Sequence, residues 1–114
     1  MILRSADSGT VIATRVELAR SFFQRMFGLL GRSHVLPDEG LWIEKCAAIH
    51  TIGMRAAIDV IFLDAGHRVL RTCPSVGPNV LVLRAPNARH VVELGSGALA
   101  TRDVQPGERL ELGS

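Results

Sequence analysis

Read for hydrophobic and polar positions, the chain divides into short segments, and one of them has no polar face. Val60, Ile61, Phe62 and Leu63 are continuously apolar and end at the turn-like Asp64-Ala65-Gly66-His67. A run this short, bounded by turn residues, predicts a strand over 58–63 buried on both faces. Upstream, Val11–Ala19 alternates from Thr14 onward, with Val16 and Leu18 on one side and Arg15 and Glu17 on the other. That is the pattern of a half-buried strand. Ser21-Phe22-Phe23-Gln24 has the form of a capping box. Apolar residues at 22, 23, 26, 27, 29 and 30 follow at helical spacing, and Gly31 stands where a left-handed cap belongs. The spacing therefore predicts a helix over Phe22–Leu30, whose Phe23, Met26 and Leu30 stripe packs on a sheet rather than forming a partner groove.

The rest reads as strands and turns. Residues 1–10 suggest a loosely ordered start or a short edge strand. Pro37-Asp38-Glu39-Gly40 is a turn before a strand at Leu41–Glu44. Residues 46–56 fit neither period. Arg68–Cys73 alternates as the returning strand of a hairpin, ended by Pro74, and Val80–Leu83 and His90–Leu94 are two more strands around Ala85-Pro86-Asn87. Ser96 is placed to cap a short helical segment through Ala100 or Thr101. After the Gln105-Pro106-Gly107-Glu108 turn, Leu110 and Leu112 alternate in a last strand. The expectation is one domain over 1–114 of the α+β class, mostly antiparallel β, with one main helix at 22–30. Its architecture would be a small partly closed barrel or a two-layer sheet. Phe23, Met26, Leu30, Val60, Phe62 and Leu94 are expected in one core.

Composition narrows the function classes. With 114 residues and 47% hydrophobic content, the chain supports a single core and is not disordered. No apolar run approaches the roughly 20 residues of a membrane span, and no signal sequence is visible, so a cytoplasmic location is expected. Twelve of the 13 basic residues are Arg, scattered singly, and there is no Tyr and one Trp. Nucleic-acid binders cluster their basic residues and add stacking aromatics, so no specific nucleic-acid binding is expected. The two cysteines, Cys46 and Cys73, suit a reducing compartment.

The candidate chemistry lies in Cys46–Asp64, where Cys46, His50 and Met54 recur every four residues and Asp59 leads into the apolar run. Cys, His and Met together suit zinc or copper. On a regular strand residues four apart are separated by about 13 Å, and on a helix the outer two are separated by about 12 Å. One ion cannot bridge either distance, so Cys46 and His50 are weak metal candidates unless the loop is irregular, for instance at Gly53. Nucleophilic catalysis would combine Cys46 or Ser75 with His50 or His90 and with Asp59 or Glu93, but no spacing demands it. No phosphate loop or dinucleotide fingerprint is present, so no cofactor is expected. Asp59 reads as a buried carboxylate that needs partners, either backbone N–H groups of the 46–56 loop or Arg32 or Arg55.

R-M-F-G-L-L-G-R (25–32), C-A-A-I-H-T-I-G-M-R-A-A-I-D-V-I-F-L-D (46–64), V-V-E-L-G-S-G (91–97) and Q-P-G-E-R-L (105–110) occur in this order. Together they make the chain similar to the DUF192 family, a widespread prokaryotic domain of unknown function. The resemblance runs from about Val11 onward. It departs from the family's usual pattern at Leu30, where Met is common, and in the I-H-T-x-x-M-x-x-x-I-D form that ends at Asp59. It implies a compact, mostly β fold with one helix and no established activity. Some members look exported, but this sequence lacks their signal segment.

The sequence thus argues for a small soluble binding or accessory module rather than an enzyme. Its concave site is expected near residues 46–59, with Cys46, His50, Thr51, Met54 and Asp59 as binding residues and a small molecule or protein as partner. The rival expectation is a metal-binding protein or small enzyme that uses Cys46, His50 and Asp59.

Overall fold

The computed structural model describes residues 1–19, 29 and 32–114. The expected helix at Phe22–Leu30, with Phe23, Met26 and Leu30 of the expected core, lies outside the described residues apart from Leu29. Ten strands are described: β1 (Ile2–Ser5), β2 (Val11–Ala13), β3 (Arg15–Ala19), β4 (Glu39–Glu44), β5 (Ala48–Ile49), β6 (Ile58–Leu63), β7 (Val69–Val76), β8 (Leu83–Arg84), β9 (His90–Gly95) and β10 (Leu110–Gly113). One short helix, Ala98–Thr101, lies between β9 and β10. The α+β, mainly antiparallel reading holds, and among the described residues the sheets stay open and stacked rather than closing into a barrel.

The central sheet has the order β3-β4-β9-β6-β7 and is antiparallel except for the parallel β3–β4 pair. β6 occupies the predicted span, is hydrogen-bonded on both edges, and buries all six of its residues. Its side chains alternate between two cores, as the twofold period of a strand requires. Ile61 and Leu63 face Leu3, Ile12, Trp42, Val92, Leu94 and Leu110, where the three-stranded sheet β10-β1-β2 and the short helix cover the central sheet. Ile58, Val60 and Phe62 face Leu29, Val35, Ile43, Met54, Ala85 and Val91 on the other side. The expected single core is therefore corrected to two. Leu94 pairs with Asp59 in the ladder and so falls on the face opposite Val60 and Phe62.

Several segment boundaries move for local reasons. β1 is the middle strand of its sheet, not a loose start or an edge. Val11–Ala19 is broken at Thr14, whose N–H donates to Asp38 Oδ1 at 2.8 Å. β7 runs past Pro74 to Val76; Pro74 is tolerated because β7 is an edge strand and its register is broken by a bulge opposite Ile58–Val60. Ser96 does not cap the short helix. The N-cap is Gly97 at φ 105°, and the Ser96 hydroxyl instead meets the Ser75 hydroxyl at 2.7 Å. Gly95 is required by packing, since a Cβ there would stand 2.1 Å from the Leu36 carbonyl oxygen.

β5 and β8 pair as a separate two-stranded ribbon, which we call the arm, folded over the Phe62 face. Arg71 of β7 pins it by donating from its guanidinium to the Arg84 carbonyl at 2.8 Å. Val80–Leu83, expected as a strand, contributes only Leu83 to this ribbon, because the chain before it is held by Thr51 instead.

Candidate functional site

The expected site residues are distributed over both sides of the central sheet. Asp59 is 1% exposed and shares a face with Ile61 and Leu94. One carboxylate oxygen accepts the Ser75 N–H at 2.7 Å and the other accepts the Leu99 N–H at 2.8 Å. Asp59 thus joins the β7 bulge to the first turn of the short helix. The described geometry has it holding neither the 46–56 loop nor Arg32 or Arg55. Met54 is buried in the opposite core, and Cys46 packs against that core. His50 is exposed on the arm. Thr51 is buried and works as a structural clasp: its hydroxyl donates to the Gly77 carbonyl at 2.7 Å and accepts the Val80 N–H at 2.8 Å. Its own N–H donates to the Val80 carbonyl at 2.9 Å. With Asp59 on one face and Cys46 and Met54 on the other, these residues do not converge. Among the described residues no group of three or more His, Cys, Asp or Glu side chains is placed to hold a metal ion.

A concave site exists at the base of the arm, where β4 leaves the sheet and β9 enters it. A cavity of about 360 Å³ is lined by Lys45, Cys46, Ala47, Ala65, Ala88, Arg89 and His90. Its backbone frame is tied on both sides: the Cys46 N–H donates to the Arg89 carbonyl at 2.9 Å, and the Arg89 N–H donates to the Leu63 carbonyl at 2.8 Å. Lys45 sits in the left-handed region at φ 55°, an uncommon conformation for a side-chain-bearing residue. Its N–H donates to His90 Nδ1 at 3.4 Å. That contact requires an unprotonated Nδ1 and directs the remaining proton to Nε2. Burial, with His67 beside it, lowers the His90 imidazole below its usual range against the opposing pull of Glu44 and Asp64, which favours the neutral ring. His67 meets both His90 and Trp42 edge-on, each with centroids 5.0 Å apart. The Cys46 thiol donates to the Ala48 carbonyl at 3.1 Å.

Only Cys46 of the residues expected to bind lines this cavity. Lys45, Arg89 and the alanines carry no signal in the local sequence, and His90 stands there only as a possible partner of a nucleophile. Strand register brings the 45–47 and 88–90 segments together through the β4–β9 pair, where Glu44 faces His90. Nothing in the local pattern reveals that pairing.

A second titratable group lies deeper. Glu93 projects from the middle of β9 toward the Phe62 face, in a cross-sheet row with Leu41, Val60 and, through Val60, Cys73. Burial pushes its carboxyl up to about 7, and it pushes the Cys73 thiol up as well. Because the folded value of Glu93 exceeds the ordinary 4.5, its contribution is fully present below pH 4.5 and is lost as pH rises through about 7. Glu93→Gln should therefore stabilise the protein at pH 8 by about 3 kcal/mol relative to the parent, with little difference at pH 4.5. Urea midpoints at the two pH values check this, and parallel profiles for parent and variant would remove the buried-acid account.

Comparison with known proteins assigns the chain. The DUF192 model, described as "Uncharacterized ACR", matches residues 3–112. A UPF0127 protein of Pyrococcus furiosus is 33% identical over 113 residues, covering 94% of both chains. A crystal structure from Sinorhizobium meliloti 1021, of a protein described provisionally as a transcription regulator, superposes with TM-score 0.79 at 25% identity, over 96% of this chain and 89% of that one. A protein of unknown function from Novosphingobium aromaticivorans superposes with TM-score 0.80 at 23% identity, over 97% and 82% of the respective chains. With a family model spanning nearly every residue, and the ordered motifs at 25–32, 46–64, 91–97 and 105–110 within that span, the chain belongs to the DUF192 family.

Proposed function

We propose that this domain is a binding module whose ligand is a small anionic molecule held at the base of the arm. The observation that carries the reading is the cavity of about 360 Å³ lined by Lys45, Arg89, His90 and Cys46, with no carboxylate among the described residues on its wall. That volume lies in the lower part of the range for small-molecule sites. Alanines at 47, 65 and 88 leave room between the polar groups. Lys45 and Arg89 supply cationic donors, the neutral His90 ring supplies a further one at Nε2, and the thiol supplies a soft contact.

The geometry favours binding over catalysis. A nucleophilic cysteine works as a thiolate beside a base, whereas the Cys46 thiol donates its proton to a backbone carbonyl. Transcription regulation, the description carried by the S. meliloti protein, finds little support in the arginines. Arg4, Arg68, Arg71 and Arg102 donate to backbone carbonyls of their own chain, and Arg15 and Arg32 pair with Glu39. Side chains used in this way hold the fold rather than forming a phosphate-tracking face.

Thermal shift with inorganic phosphate and with succinate tests the proposal. Either anion should raise the parent's midpoint, since a ligand at 100 times its Kd stabilises the folded form by about 2.7 kcal/mol. Arg89→Ala should abolish the rise while keeping the unliganded midpoint. The same anion should slow alkylation of Cys46 by iodoacetamide, whereas the buried Cys73, its thiol pushed up by burial, should stay unmodified with or without it. A midpoint unmoved by both anions, or rapid alkylation of Cys46 at pH 6, would replace this reading with an apolar ligand or with a reactive thiolate.

A further inference from the structure

The tip of the arm has a composition unlike the rest of the surface. Six large apolar side chains are exposed among the described residues, and three of them, Ile52, Leu81 and Val82, lie where the chain leaves β5 and approaches β8, at 46%, 74% and 63% exposure. They flank the Thr51–Val80 clasp, in which the Thr51 N–H and hydroxyl hold Val80 and the Asn79 N–H donates to the Thr51 carbonyl at 3.0 Å. Asn79 is in the left-handed region at φ 66°, following Pro78. The tip is thus held in shape before anything docks on it.

Its charge is one-sided. Residues 46–57 and 77–88 contain Arg55 and Arg84 and no Asp or Glu. The remainder of the chain, with eleven basic and eleven acidic residues, carries no net charge. Arg84, on β8 two residues after Val82, and Arg55, three residues after Ile52, are both exposed.

We infer that the tip of the arm is a docking surface for an anionic lipid bilayer, with Ile52, Leu81 and Val82 entering the headgroup boundary and Arg55 and Arg84 pairing with lipid phosphates. Exposed aliphatic residues within a cationic rim are the composition that interfacial binding uses, the two contributions adding. A nucleic acid would need aromatic faces for stacking, and residues 46–57 and 77–88 contain no Phe, Trp or Tyr. A second copy docking arm to arm would set Arg55 and Arg84 against their own kind, and such like-charge contacts are disfavoured. The inference is independent of the anion cavity, and it concerns contact with a surface rather than passage through it.

Co-sedimentation of the full chain with vesicles separates the outcomes. The protein should pellet with vesicles of phosphatidylcholine mixed with phosphatidylglycerol and stay in solution with phosphatidylcholine alone. Binding should weaken as salt rises. Arg55→Ala and Arg84→Ala should each weaken it about fivefold, the share expected of one basic residue near a charged leaflet. The double substitution Leu81→Ser with Val82→Ser should weaken it about tenfold or more, through lost apolar insertion. The parent's thermal midpoint should be kept in all of them, because every position is exposed. If the double variant does not fold, the two arginine variants give the decision. The inference is overturned if the mixed vesicles do not pellet the protein, if pure phosphatidylcholine does so equally, or if the variants bind like the parent. It is also overturned if the same variants abolish binding to a single-stranded oligonucleotide or disperse a dimer seen by light scattering.

Discussion

Phe62→Ala should destabilise the protein by about 3–5 kcal/mol, the range for removing a fully buried aromatic side chain. The ring is 0% exposed and stands on β6 between β9 and β7, with Val91 and Arg71 as its ladder neighbours. On its face of the sheet it packs in one cluster with Ile43, Met54, Val60, Ala85 and Val91. That cluster joins the central sheet to the arm, so the cavity left by truncation would loosen the contact that carries β5 and β8. Two readouts are expected to move together. The urea midpoint falls, and amide exchange at Ile49 and Leu83 quickens more than at Leu3 or Leu110, which belong to the other core. A variant that loses stability evenly across both cores would show that the two faces unfold as one unit. A loss under about 1 kcal/mol would show that the site collapses onto the gap.

The legible part of this fold is the part governed by period. The unbroken apolar run gave β6 its boundaries, the alternation of Val16 and Leu18 gave β3 its inward face, and Leu110 and Leu112 gave the last strand. The harder part was decided by pairing between distant segments. Leu94 looks interchangeable with Val60 and Phe62 as a core residue, but its register against Asp59 places it behind the sheet from both. The same register separates residues 46–59, which were expected to line one concave surface. Those residues follow one another in sequence, and β6 with the arm sends them to opposite faces. The cavity is formed where positions 45–47 meet 88–90, segments about forty residues apart whose individual residues look ordinary. Ser96 illustrates the local limit. Its sequence context fits an N-cap, but Gly97, free to adopt φ 105°, begins the helix one residue later. The donor that Ser96 was expected to satisfy is taken instead by a carboxylate from another strand.

That carboxylate is Asp59, and Asp59→Ala should cost about 2–6 kcal/mol. The alanine removes the acceptors of two part-buried backbone donors, the Ser75 and Leu99 N–H groups. Each buried donor left unpaired costs about 1–3 kcal/mol. Neither donor has an easy substitute. Ser75 sits in a bulge at φ 50°, a strained conformation for a non-glycine residue, and the short helix has no side-chain cap of its own. Asp59→Asn should fall between the parent and the alanine variant, because the amide keeps one oxygen acceptor but turns its NH2 toward the second N–H. The loss should be local before it is global: amide exchange at Leu99 and Ser75 should accelerate first, and the Ser75–Ser96 hydroxyl contact should open with it. His50→Ala, by contrast, alters an exposed position and should leave the midpoint within about 0.5 kcal/mol. Thermal and urea denaturation of the three variants, with hydrogen exchange on the alanine protein, check the ordering. An Asp59→Ala protein as stable as the parent would mean that water reaches both amides as readily as the carboxylate does. Asp59 would then be free to serve a role other than joining β7 to the helix.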